Sequence, residues 1–295
     1  MKDFILTCCS TVDMNKEFFE ETKIPYISYR FSLDGEEIED DYGKSITNEE
    51  FYEKMKNGAM PKTSQINSER YIEFWEPYLK EGKDVLHIAF SSGLTGSFNS
   101  ARLAKNYLEE KYNDAKVYLV DSLAACSGYG MLVKSVYDLK EKGYDVLYCV
   151  NWVEENKLNL HHWFFSTDLT SFKRGGRISS TSFFVGTLLK ICPLMNVDFE
   201  GRLIPRKKIR TRTKAIEEIV EVMKDCTEDG INYNNYCYIA HSATPDDALK
   251  VKELIENSFP NLKNKVEIYN IGTVIGSHCG PGTVALFYYG TKRIG

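Results

Sequence analysis

In the first half of the chain, short apolar runs rich in β-branched and aromatic residues alternate with stretches of helical period. "FILTCC", "DVLHIAF" and "KVYLVDS" read as strands, and helices are expected near residues 67 to 80, 97 to 111 and 125 to 142. That alternation implies a parallel sheet covered on both faces. "PYISYRFSLDGEEIEDD" interrupts it with two extended arms around the turn Asp34-Gly35, so a β-hairpin insertion is expected near residues 25 to 40. "ITNEEFYEKMKNG" then starts a helix with Thr47 as N-cap and Glu50 three residues later, a capping box, and Gly58 stops it.

The second half opens at "HHWFFSTDLTSFKRGGRIS" and continues with two arms, "CPLMNVDFEG" and "RLIPRKKIR", joined at Glu200-Gly201. A helix from about Arg212 to Cys226 follows, then strand "NYCYIAHS", helix "PDDALKVKELIENS", and strands "KVEIYNI" and "TVALFYYG". Antiparallel arms mixed with helices suggest an α+β domain. The expectation is therefore an α/β protein with a parallel-sheet domain over residues 1–165 and an α+β domain over residues 166–295. No flexible linker separates them, so the two should pack closely.

The length of 295 residues allows a sizeable core, and 37 Lys and Arg against 42 Asp and Glu argue against nucleic acid as the partner of the whole surface. No apolar run approaches the roughly 18 residues needed to span a bilayer, and "MKDFILTCCS" turns polar too soon for a secretory signal. Cytoplasm is the expected location. The eight cysteines form no CxxC pair and mostly sit in apolar segments, so they read as reduced core residues. The five histidines show no HxH or HExxH spacing, and no metal site is expected.

"DDYGKSIT" contains Gly43-Lys44-Ser45, the tail of a P-loop, but Ile38 stands where its first glycine should be and no strand runs into it. GxGxxG and GxSxG are both missing. What remains is a set of hydroxyls at chain turns. "HIAFSSGLTGSFNSARLAKNYL" ends a strand in Ser92, Gly93, Thr95 and Gly96 and then becomes a helix, where unpaired N–H groups and the helix dipole suit an anion. Ser92, Thr95 and Ser122 all follow expected strands and should share the crevice at the carboxyl ends of the sheet. "PKTSQ" adds Thr63 and Ser64. Each of these residues taken singly is also a good helix cap.

"GSHCGPGTVALFYYG" places His278 before a rigid bend, either as a structural histidine or as a donor or proton carrier in the crevice. "SFKRGGRIS" offers Lys173, Arg174 and Arg177 around two glycines, suited to an anion, a partner surface or a solvated turn. Two further function classes stay open: a serine hydrolase or lipid transferase using Ser92 or another hydroxyl with His278 as base, and a lipid-responsive regulatory binding protein.

Seven motifs in order, "CSTVDM", "PKTSQ", "FSSGLTGSFNSA", "VDSLAACSGYG", "SFKRGGRIS", "AHSATPDDALKVKELI" and "GSHCGPGTVALFYYG", resemble the DegV family of bacterial fatty-acid-binding proteins almost end to end. The resemblance implies two α/β domains, a three-layer one and a smaller α+β one (the EDD fold), with a long-chain fatty acid between them. It implies a carrier without turnover of its own and without another cofactor. Such a carrier presents the lipid to a separate ATP-binding fatty acid kinase subunit, on a route to phospholipid, with no stable membrane insertion. Carried over by motif, Thr63 and Thr95 become carboxylate contacts, Ser64, Ser92 and Gly96 shape the pocket, His278 completes the polar network, and Arg177 lies near the head group or the kinase-docking surface. The family's usual Asp in its first motif is Cys9 here, the Ser of its "LSG" is Thr95, and its Lys-Pro is Cys192-Pro193.

A tail of about 14 methylenes at ~0.8 kcal/mol each offers on the order of 11 kcal/mol gross, against about 1.5 to 3 kcal/mol for a hydrogen bond to a charged group. The tail would supply affinity and the polar turn orientation.

Overall fold

A computed structural model describes residues 3–178 and 191–293. Strands β1 (Phe4–Cys9), β2 (Tyr26–Ile27), β6 (Asp84–Ala89) and β7 (Val117–Asp121) form a wholly parallel sheet in the order β2-β1-β6-β7. Helices α3 (Ser68–Lys80) and α4 (Ser97–Lys111) pack on each other, as do α5 (Cys126–Glu141) and α6 (Val146–Asn156). The two pairs cover the sheet, which is why every position of β6 is buried.

The arms around Asp34-Gly35 are β3 (Arg30–Leu33) and β4 (Glu36–Glu39), paired antiparallel. Asp34 and Gly35 both take left-handed backbone, φ 53° and 91°, the geometry of a type I′ turn. On its other edge β3 takes up β5 (Lys62–Ser64), with Phe31 opposite Thr63, so the hairpin grows into a small sheet that carries "PKTSQ". Helix α2 (Asn48–Lys56) starts with the capping box of Thr47 and Glu50.

The second sheet has the order β10 (Leu203–Ile209), β9 (Cys192–Val197), β8 (Leu160–Ser166), β13 (Thr283–Tyr289), β11 (Cys237–His241), β12 (Glu267–Asn270). Helices α8 (Arg212–Cys226) and α9 (Pro245–Ser258) share a core with it, built on Phe165, Ile219, Val251 and Leu286. On the other side, Phe164, Met195, Ala285 and Phe287 join the core of the parallel sheet, with α5 lying between the sheets. The boundary expected near residue 165 falls inside β8, a strand of the second sheet, so the change of sheet comes before Leu160. Buried Arg293 ties the two halves together, donating to the carbonyls of Leu123 and Lys157 on one side and of Val197 and Asp198 on the other.

Candidate functional site

Where the small sheet, the loop after β6, the short helix α7 (Thr170–Gly175) and helix α10 (Thr273–Cys279) converge lies a cavity of about 180 Å³. Tyr29, Thr63, Ser64, Gln65, Thr95, Arg177 and His278 give it polar groups, and Phe90, Leu94, Phe172, Leu203, Val274 and Ile275 give it an apolar wall. Segments attached to all three sheets close it: Thr63 on β5, Phe90 just after β6 and Leu203 on β10. The mix of apolar wall and a few convergent polar groups suits a small organic ligand with one polar end.

The polar groups are cross-linked. Thr63 Oγ1 lies 2.8 Å from His278 Nε2. Ser97 Oγ accepts from the N–H of Ile66 at 3.1 Å and lies 3.1 Å from Thr95 Oγ1, which also accepts from the N–H of Ser97 at 3.2 Å. When Ser97 is the donor of that hydroxyl pair, the hydroxyl proton of Thr95 is left for a ligand. Burial, then the nearby charges of Arg177 and Arg174, push the His278 imidazole down to about 4, so the ring is neutral at pH 7. The tautomer with the proton on Nε2 would donate to Thr63 and leave the Thr63 proton for a ligand; the other would accept it.

The "KRGGR" turn is explained by this ring. A Cβ on Gly175 would come within 2.5 Å of His278 Nδ1, so only glycine lets the histidine seat against the chain. Gly176 closes α7 in left-handed conformation, and Arg177 then turns back to donate from Nε to the carbonyl of Leu94 at 3.2 Å. Lys173 and Arg174 are exposed.

The structure brings part of the expected set together and leaves the rest apart. Thr63, Ser64, Thr95, Arg177 and His278 line one cavity. Ser92 does not: it is exposed, and its N–H is held by Asp121 at 3.2 Å on the outer side of the loop. Ser122 is buried and folds onto its own loop, accepting from the N–H of Ala124. Gly96 is the N-cap of α4 and does not line the cavity; a Cβ there would meet Gln65 Oε1 at 2.6 Å. Gly93 likewise serves packing, since a Cβ would meet the carbonyl oxygens of Glu200 and Gly201 at 2.6 and 2.8 Å. The N–H groups of Gly93, Leu94, Thr95 and Ser97 are already paired within the loop, so the polar side chains, rather than a ring of backbone amides, face the ligand space.

Cys9 does not sit at the polar end either. It is buried in the core, with Sγ 3.7 Å from Tyr71 Oη and 3.6 Å from His87 Nε2, and burial pushes its thiol up to about 11. Cys192 lies buried in β9, and all eight cysteines are free thiols. Among the described residues no group of three or more His, Cys, Asp or Glu is placed to hold a metal, and no helix is long and apolar enough to cross a membrane. Sequence reasoning missed Phe172 on α7, and Tyr29 and Leu203, whose approach depends on sheet pairing between distant segments.

A family model described as an uncharacterised protein of the DegV family matches residues 7–291. A DegV domain-containing protein of Clostridium perfringens is 38% identical over 294 residues, 99% of each chain. Among solved structures, a DegV family protein from Thermus thermophilus described by its fatty acid binding is 28% identical, with a TM-score of 0.85 over 98% of this chain and 100% of that one. DegV from Bacillus subtilis, described as a fatty acid binding protein, is 28% identical with a TM-score of 0.84 over 99% of this chain and 100% of that one. In sequence over nearly its whole length, and in fold, this chain belongs to the DegV family.

Proposed function

We propose that this chain binds a long-chain fatty acid in the cavity between its two sheets, with the carboxylate at Thr63 and Thr95 and with Ser64 and His278 around it. The observation that carries the reading is the pairing of a neutral, hydroxyl-rich cluster with an apolar wall in one cavity. Two structural neighbours described as fatty acid binding support it. Arg177, tied to the loop carbonyl of Leu94, adds positive potential beside the hydroxyls without closing over them.

In this reading the chain is a cytoplasmic carrier that presents the carboxylate to a separate ATP-binding kinase subunit. A carboxylate oxygen would form a bond to the γ-phosphorus as the bond to ADP breaks, giving an acyl phosphate. Neutral donors orient the carboxylate while leaving an oxygen nucleophilic, and the chain's own Gly43-Lys44-Ser45 sits in an exposed turn organised by Asp41 rather than in a phosphate loop. Ser92 is outside the cavity, so the hydrolase alternative would have to use Thr63, the hydroxyl that His278 Nε2 meets.

Titration of delipidated protein with oleate tests the reading. Wild type should bind, and a Thr63→Val, Thr95→Val double variant should bind at least ~100-fold more weakly. Equal affinities, or no binding by wild type, would overturn it. ATP alone should yield no acyl phosphate from the loaded protein.

A further inference from the structure

Tyr29 immediately precedes β3 in the arm that begins the hairpin, and its ring lines the same cavity as Thr63, Thr95 and His278. The residue is only 3% exposed, yet its hydroxyl has no hydrogen-bond partner among the described residues. An unpaired buried hydroxyl is a cost that folded proteins rarely carry without a use. The backbone gives it no freedom to escape, since the Tyr29 N–H is held by Ser10 Oγ at 3.1 Å and its carbonyl accepts from the N–H of Asp40 at 3.0 Å.

The hydroxyls nearest to that of Tyr29, those of Thr95 and Ser97, already have partners of their own: they lie 3.1 Å from each other, Thr95 Oγ1 accepts from the N–H of Ser97, and Ser97 Oγ accepts from the N–H of Ile66. Three hydroxyls that can each donate to an acceptor, those of Tyr29, Thr63 and Thr95, line this one cavity. A carboxylate offers about four lone-pair positions and no proton, which matches three donors; an alcohol brings a competing proton, and an ester has lost one anionic oxygen.

We infer that Tyr29 is a specificity-determining residue of this site, donating its phenolic hydrogen bond to the ligand's carboxylate and selecting ionised acids over alcohols and esters of the same chain length. This rests on the fatty-acid reading above. Burial also holds the phenol above its ordinary range, so it is protonated and able to donate at pH 7.

The test compares palmitate with hexadecanol on delipidated full-length wild type and Tyr29→Phe, a change that keeps the ring and the wall. The variant should lose about 10- to 100-fold in affinity for palmitate and keep its affinity for hexadecanol within about twofold. Carboxyl-labelled palmitate bound to the variant should titrate at higher pH by carbon NMR than when bound to wild type, because a donor to the ionised form is gone. Unchanged palmitate affinity, or equal losses for both probes, would overturn the assignment while leaving the fatty-acid reading intact. Wild type that fails to bind palmitate would overturn the reading itself and this inference with it.

Discussion

Thr63 and His278 stand 215 positions apart in the chain, yet their side chains meet at 2.8 Å across the cavity. One comes from the edge strand β5 of the small sheet and the other from α10. Their contact joins the two halves of the molecule at the point where the proposed function puts the ligand's polar end.

His278→Ala should therefore weaken oleate binding by on the order of 10- to 100-fold, measured by titration of delipidated protein. The same residue contributes to acid sensitivity. Burial pushes all five histidines down, His87 to about 3, His161 and His278 to about 4, with His162 and His241 lowered as well. A lowered folded value means the unfolded chain binds more protons between that value and about 6.5, so this stability is present above pH 6.5 and is lost as pH falls toward 4. Denaturant melts across that range should show the decline, and a shallower one in His278→Ala.

Ser92 and Thr95 are three positions apart in one loop and should separate cleanly. Ser92→Ala, on the exposed side, should leave lipid affinity within about twofold, whereas Thr95→Val should cost tenfold or more. Fluorophosphonate labelling of the wild type should be absent; labelling lost in Ser92→Ala would restore the hydrolase alternative.

Gly175→Ala should act through the histidine ring. The added carbon would stand 2.5 Å from Nδ1 and drive the ring off Thr63. Because Gly175→Ala and Thr63→Val would break the same contact, their effects on binding should be clearly less than additive in a double-mutant cycle. Full additivity would mean that the glycine serves the turn alone.

At the other end of α10, the side chains of Asp13 and Asp40 are both buried, each with one oxygen lacking a partner among the described residues. Burial, then the neighbouring Asp40 charge, pushes the Asp13 carboxyl well above its ordinary value. A raised folded value stabilises at low pH, and that contribution is lost as pH rises above about 4. Asp13→Asn should therefore be more stable than wild type at pH 7, by on the order of 1 to 3 kcal/mol, with the advantage shrinking toward pH 4. Asn also tolerates the left-handed backbone at this position, φ 44°. Denaturant melts at the two pH values check it.

How much of this was legible in the sequence follows from which distances local pattern controls. The parallel strands, the capping box at Thr47, the Asp34-Gly35 turn and helices α3, α4, α5 and α8 lie close to where hydropathy and caps put them, because those signals act within a few residues. The change of sheet before Leu160 was invisible, since β8 is buried at every position and an apolar run does not say which sheet it joins. Of the cavity lining, Thr63, Thr95 and His278 had been singled out as hydroxyls and a histidine at chain turns. Ser92 was misplaced because a loop has no fixed period to say which side chain faces inward. Tyr29 was missed because its approach depends on β3 pairing with β5 some thirty residues on, with Phe31 opposite Thr63.

The central claim is that the cavity holds a fatty acid, and native mass spectrometry of the purified protein, followed by denaturation and identification of the released molecule, tests it most directly. A released mass matching a long-chain fatty acid, depleted in the Thr63→Val, Thr95→Val variant, is the predicted result. Release of a nucleotide or phosphorylated metabolite, or a protein that stays empty in the presence of added fatty acids, would contradict it.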